Sequence, residues 1–177
     1  MQARASRQRR LLLYGDSRLR IPCRPVEPRE TGLDELIGQM RRIMHQHDGV
    51  GLAAPQLGEP LRLIMAWPPD RRPGGPLVLL DPELSSVSAR TETFDEGCLS
   101  FPGIYRAVVR PGVVTVRYRD LRGDPKQIRT GGMLSRILQH ELDHLDGVLL
   151  VDHLGGWTRL GVSLHMAWHR LTAGRKG

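Results

Sequence analysis

In the stretch QHELDHLDGVLL, residues 139–150, His140 and His144 are four apart and Glu141 follows the first. On a helix, residues four apart share one face, one turn up. Both imidazoles can therefore aim a nitrogen at a single ion about 2.1 Å away. Glu141 is rotated by about 100° from His140. It sits beside the ion, where a carboxylate can take a proton from water that the ion activates. Paired histidines on an amphipathic helix also occur as plain surface residues. Here Ile137, Leu138, Leu142 and Leu145 flank them, so both histidines and the acid should be buried. Burial is costly for such groups unless they are paired or bind a metal. The HExxH pattern is read as a metal-hydrolase helix.

A catalytic metal normally takes three protein ligands and keeps one position open; this helix supplies two. A metzincin would add a histidine after HExxHxxG, but Leu150 stands at that position and cannot bind metal. Asp143 and Asp146 lie on the same helix and point elsewhere. His45 and His47 end an earlier helix, and a solvated imidazolium is favourable at a helix C-terminus. His153, His165 and His169 carry no spacing pattern. Cys98 is left, between Gly97 and a polar-to-apolar change in DEGCLSFPGI, a setting that suits a ligand at a strand end. A thiolate also binds metal strongly.

Several elements must hold these residues. Leu33, Leu36, Ile37, Met40, Ile43 and Met44 recur at spacings of three and four, an amphipathic helix stopped at Gly49. Residues 61–67 and LVLLDPEL (77–84) read as short strands, with a breaker-rich loop over 70–76. In GVVTVRYRD, Val114, Val116 and Tyr118 alternate with Thr115, Arg117 and Arg119, a half-buried strand. A turn at LRGDPKQ precedes another short strand. The HExxH helix carries apolar residues around much of its circumference and ends at Gly147; a last helix is expected over about residues 158–171. The expected fold is α+β, with short mixed or antiparallel strands packed around a central metal-binding helix, and an N-terminal and a C-terminal helix. Residues 1–10 read as a mobile basic arm, 11–172 as a single catalytic domain and 173–177 as a basic tail.

The chain has 177 residues, 40% hydrophobic and 25% charged, ordinary for a soluble domain. No apolar run approaches the roughly 18 residues of a membrane span. The run after the basic N-terminus covers only residues 11–14, too short for a signal-peptide core. A cytoplasmic protein without membrane partners is expected. Two cysteines make no disulfide framework, and Cys23 reads as a buried thiol. The net charge of +7 is carried almost wholly by arginine, with lysine only at Lys126 and Lys176. Coding bias and solubility are the plainer account of it, and contact with nucleic acid or an acidic surface the sharper one. No nucleic-acid motif accompanies the charge, aromatic residues are 5%, and no DNA partner is expected.

Three separated stretches fall into one pattern. GVGLAAPQ (49–56), EGCLS (96–100) and QHELDH (139–144) resemble, in order and spacing, the three signature motifs of the peptide deformylases. YGDSRLR, LGEPLRLI and DGVLLVDHL extend the resemblance over about residues 11–154. It implies an α+β enzyme that removes the formyl group from the N-terminal methionine of new polypeptides. By motif match it implies Cys98, His140 and His144 as metal ligands and Glu141 as general acid and base. Gln56 and the backbone N–H of Leu99 would hold the developing oxyanion. Two nitrogens and a thiolate suit zinc, but the resemblance implies Fe²⁺ first and Zn²⁺ next. Ser17, Ser135 and His153 depart from residues common in the family, none at a ligand or catalytic position.

The same motifs frame the substrate expectations. Small residues in GVGLAAPQ let backbone approach closely, with Gly51 a backbone contact for an extended peptide. Val50, Phe94, Met133 and Ile137 are the pocket residues expected around methionine, although core packing explains them too. Nascent N-formylmethionyl peptides are the expected partners. Arg159, Arg170, Arg175 and Lys176 offer a further contact, ribosomal RNA near emerging chains. Two rival readings are a zinc endopeptidase, which Leu150 and Cys98 oppose, and a protein with a structural metal, which would want four ligands.

Overall fold

The computed structural model describes residues 9–69 and 75–173. Residues 1–8, most of the loop over 70–76, and the tail from 174 lie outside it. Three helices and seven strands run in the order α1 (Leu33–Gln46), β1 (Gly51–Ala53), β2 (Leu63–Ala66), β3 (Leu77–Val87), β4 (Thr91–Gly97), β5 (Tyr105–Pro111), β6 (Val113–Arg119), β7 (Pro125–Gly131), α2 (Gly132–Leu145) and α3 (Gly156–Ala173). Five strands form one sheet in the order β1-β2-β3-β6-β7, and β4 pairs with β5 in a separate hairpin. Each of these pairings is antiparallel; the parallel contact present is an isolated bridge between Arg24 and Leu61.

The central helix is α2. Its Ile137, Leu138, Leu142 and Leu145 pack with Ala53 and Ile64 of β1 and β2, and with Val114 and Val116 of β6. Ten of its side chains are buried, His140, Glu141 and His144 among them. The apolar stripe that sets α1 against Leu52, Leu63 and Met65 is the one its spacing predicts. A third cluster joins Phe101, Ile104 and Val108 to Leu149, Leu150 and Val151, and to Val162 and Met166 of α3.

Two elements differ from expectation for physical reasons. β3 is an eleven-residue strand rather than a short one. Its register with β6 shifts between Leu80 and Glu83 and again between Leu84 and Ser86. Such bulges accommodate an extra residue and a proline inside a strand. Asp81 takes a positive φ of 48° there and is tied down by the Val26 N–H (2.8 Å) and by Arg119. β5 was not expected at all. Its alternation is masked, with Arg110 buried beside Val108 on one face and Val109 exposed on the other, so hydrophobicity hides the strand. Elsewhere, Cys23 is buried, and burial pushes its thiol up to about 11. No helix among the described residues is long and apolar enough to cross a membrane.

Leu138 is fully buried where α2 meets the sheet. Leu138→Ala should lower the unfolding free energy by about 2–5 kcal/mol, read from urea denaturation; an unchanged midpoint would remove this contact from the core.

Candidate metal centre

β4 carries the chain to Cys98, and α2 brings His140, Glu141 and His144 to the same place. One ligand atom from each of Cys98, His140 and His144 lies within 4.8 Å of the others. Cys98 Sγ is 3.3 Å from His144 Nε2, and the two imidazoles meet edge to face at 5.1 Å. No second group of this kind occurs among the described residues. The residues fit a metal. Glu141 Oε2 and His144 Nδ1 are buried without a hydrogen-bond partner, and one thiolate with two imidazoles is a donor set for a divalent transition ion.

The electrostatics divide the roles. Burial drives the Glu141 carboxyl up to about 7, with His140 opposing it. Burial, and then the charge of His140, push His144 well below its ordinary value, so its ring is neutral. Burial disfavours charge on His140 also, but Cys98 and Glu96 outweigh it and raise its pKa.

Behind the ligands lies a network that the sequence reading did not assign. Glu96 is buried on β4. Its Oε2 is 2.9 Å from His140 Nδ1. Arg110 donates to both carboxylate oxygens at 2.7 and 2.9 Å, and Arg136 donates to Oε1 at 3.0 Å. Burial would raise the Glu96 pKa, but His140 and Arg110 hold it well below the usual carboxylate range. A carboxylate on Nδ1 fixes the tautomer and leaves Nε2 free to ligate. Arg110 also reaches Asp143 (2.7 Å), whose same oxygen lies 2.7 Å from His153. Asp143 thus points away from the ligand cluster, and Asp146 pairs with Arg62 (2.7 Å). The one sequence signal for Glu96 was its place at the head of EGCLS.

Gln56 sits in the short 3₁₀ turn after β1 and is buried. Its Oε1 accepts the Ala53 N–H at 2.8 Å, which aims Nε2 at Ser100 Oγ (3.1 Å) and Cys98 Sγ (3.6 Å). A cavity of about 440 Å³ opens over His140, Glu141 and Cys98. Val50, Gly51, Gln56, Leu99, Met133 and Ile137 line it. Gly51 is required by proximity: a Cβ there would strike Glu141 Oε1 and lie 2.8 Å from Ile137 Cγ2. Phe94 does not line the cavity. It shares a face of β4 with Glu96 but lies two residues further off, and the Arg136 guanidinium covers its ring at 5.2 Å. His47, expected as a solvated helix end, is exposed but also lines the cavity with Asp48 and Tyr105, none of which the sequence marked as site residues.

The family model for polypeptide deformylase matches residues 8–159. This chain belongs to the polypeptide deformylase family. It is 42% identical over 141 residues to the peptide deformylase of Picosynechococcus sp., a match spanning 79% of this chain and 75% of the relative. The crystal structure of a peptide deformylase from Legionella pneumophila is similar at 38% identity and a TM-score of 0.88, over 96% of this chain and 99% of that one. That of a Synechococcus elongatus peptide deformylase in complex with actinonin is similar at 39% identity and a TM-score of 0.80, over 89% and 84%. The antiparallel sheet, the central helix and the terminal helices of this chain are those of a deformylase fold.

In this deformylase chain, Glu96→Ala leaves Arg136 without its buried carboxylate and Arg110 with Asp143 alone. It should destabilise the protein by about 3–5 kcal/mol, measured by chemical denaturation; a loss under about 1 kcal/mol, the value of a surface pair, would show that the network is not a structural tie.

Proposed function

We propose that this chain hydrolyses the formamide at the N-terminal formylmethionine of newly made polypeptides, releasing formate. The observation that carries the reading is Glu141, buried with one free carboxylate oxygen beside a Cys–His–His cluster at the base of a partly apolar cavity. Cys98, His140 and His144 would hold the ion. When bound, a divalent metal supplies Lewis acidity, lowering the pKa of water from about 15.7 toward 7 and polarising a carbonyl.

The protein's own residues do the rest. The Glu141 carboxyl, with a pKa of about 7, accepts a proton from the attacking water and later delivers it to the departing methionyl nitrogen. Charge grows on the formyl oxygen during attack. The Gln56 amide and the Leu99 N–H meet it, each such donor being worth about 2.7–4 kcal/mol. The hydrogen bond from Ala53 to Gln56 Oε1 fixes the amide so that its N–H groups face Cys98. Ile137, Met133 and Val50 receive the methionine side chain, and the peptide runs extended past Gly51 as an added strand.

Iron is the first assignment, on the resemblance to the deformylases, and zinc the second, on its preference for such a donor set. The proposed partners are nascent formylmethionyl peptides, not DNA or a membrane, and the proposed compartment is the cytoplasm. Ribosomal contact through the basic tail belongs to the same proposal. Of the residues offered for it, Arg159 lies 3.4 Å from Asp152, while the Arg170 side chain, Arg175 and Lys176 fall outside what is described.

The test is formate release from a formyl-Met-Ala-Ser peptide by protein loaded anaerobically with Fe²⁺ or Ni²⁺. Metal-dependent formate, abolished by a chelator, is expected. Glu141→Ala should keep the metal and lose turnover by at least the 10²–10⁴-fold typical of general acid–base groups. No formate from the folded, metallated protein would refute the substrate. Near-normal turnover in the variant would remove Glu141 from the mechanism.

A further inference from the structure

His153 stands at the outer end of a hydrogen-bonded chain that runs inward to the ligand cluster. Its Nε2 lies 2.7 Å from Asp143 Oδ2. Arg110 Nη1 lies 2.7 Å from the same oxygen. Arg110 turns its other edge to Glu96, donating through Nε to Oε1 at 2.7 Å and through Nη2 to Oε2 at 2.9 Å. Glu96 Oε2 then meets His140 Nδ1 at 2.9 Å. The path from His153 to His140 thus passes through Asp143, Arg110 and Glu96, with no contact in it longer than 2.9 Å. Asp143, paired with Arg110, can only accept, so His153 Nε2 carries the hydrogen and donates it.

Taken alone, a part-exposed pair of this kind contributes little. Three observations give this one a larger role. First, Asp143 Oδ2 is shared, so Asp143 cannot follow one donor without leaving the other. Second, the path grows drier inward: side-chain exposure falls from 27% at His153 and 24% at Asp143 to 6% at Arg110 and 3% at Glu96. Charges at that depth are screened far less than exposed ones, so a shift of Asp143 is felt by Arg110. Third, the support under His153 is firm. It ends the 3₁₀ turn Leu150–His153, whose Leu150 and Val151 are buried in the third core cluster. Asp152 in the same turn accepts the Leu149 N–H at 2.8 Å.

The consequence follows from the shape of guanidinium. Arg110 holds Glu96 through a planar fork, and two parallel bonds survive only while that plane is kept. Without His153, Asp143 is free to turn toward water, and Arg110 must tilt after it or give up the contact. Either change loosens the fork on Glu96. Glu96 in turn sets the ring orientation and tautomer of His140. We propose that His153 is a positioning residue for the metal centre, acting through Asp143, Arg110 and Glu96 to fix the direction in which His140 offers Nε2 to the ion. The proposal rests on the reading of His140 as a ligand; His153 itself touches neither substrate nor reacting atoms.

The test compares wild type, His153→Leu and His153→Gln, each loaded anaerobically with Co²⁺. Leu removes the donor at similar size, whereas Gln carries an amide N–H to about the reach of Nε2. His153→Leu should release cobalt to a chelator about 3–10-fold faster, less than the roughly 10–100-fold typical of a ligand's direct partner, and its d–d bands should shift. Its kcat for formyl-Met-Ala-Ser should fall while KM holds. His153→Gln should restore all three. In an Asp143→Asn background, His153→Leu should add little, because both act on one path. Wild-type release and spectrum in His153→Leu overturn the proposal, even if the urea midpoint falls, since that is the mark of a merely structural pair. Equal loss in His153→Gln also overturns it, tracing the effect to packing instead of the hydrogen bond. Full additivity with Asp143→Asn overturns the path. A wild type without a thiolate-to-cobalt band fails at the metal assignment itself and removes this proposal with it, whereas a normal band without formate release fails at the substrate alone; the release rates and spectra of the variants then decide on His153.

Discussion

One buried carboxylate ties together the parts that must not move. Glu96 accepts from Arg110 on β5 and from Arg136 on α2, and it holds Nδ1 of His140. A charge so buried is tolerated only with several partners, and here Glu96 on β4 and its partners on β5 and α2 join three elements. The hairpin of β4 and β5 is not part of the five-stranded sheet, so nothing in the sheet's ladder fixes it to α2. The Glu96 cluster does, and Arg136 adds bonds to the backbone oxygens of Val108 and Glu92 at 3.0 and 2.7 Å. Because Cys98 follows Glu96 by two residues, locking Glu96 to α2 also sets the thiol against the histidines.

The rest of the site follows from that lock. The α2 helix supplies its histidines on one face, and β1 passes so close to Glu141 that only glycine fits at position 51. This crowding buries the acid on the β1 side, and burial lifts its pKa to about 7, where a carboxyl can both take and give a proton. Gln56 is held by the backbone of its own turn. Its position is thus set before any substrate arrives, which is what an oxyanion donor requires.

Much of this was legible in the sequence where a local rule speaks. The 3.6-residue period reveals α1 and α2, and HExxH places two histidines and an acid without any knowledge of the sheet. Cys98 could be reached by elimination, and its motif agrees. What escaped were features decided by tertiary partners. Arg110 is charged yet buried beside Val108, while Val109 is apolar and exposed, so the alternation of β5 is masked. Glu96 looks like one more acid until His140 and two arginines are seen around it. Phe94 was expected in the pocket because it is apolar and near the motif, but its ring is occupied by Arg136. β3 runs through Pro82, as the strand read over 77–84 does, and continues to Val87, with shifted register near Asp81 and again before Ser86.

The account turns on Cys98, His140 and His144 meeting at a single ion. The most direct measurement is the optical spectrum of protein loaded anaerobically with Co²⁺. A thiolate-to-cobalt charge-transfer band with tetrahedral d–d absorption at one equivalent of metal is the predicted result, with the charge-transfer band lost in Cys98→Ser. A spectrum without thiolate character, or one that Cys98→Ser leaves unchanged, would contradict the assignment of the third ligand and the mechanism built on it.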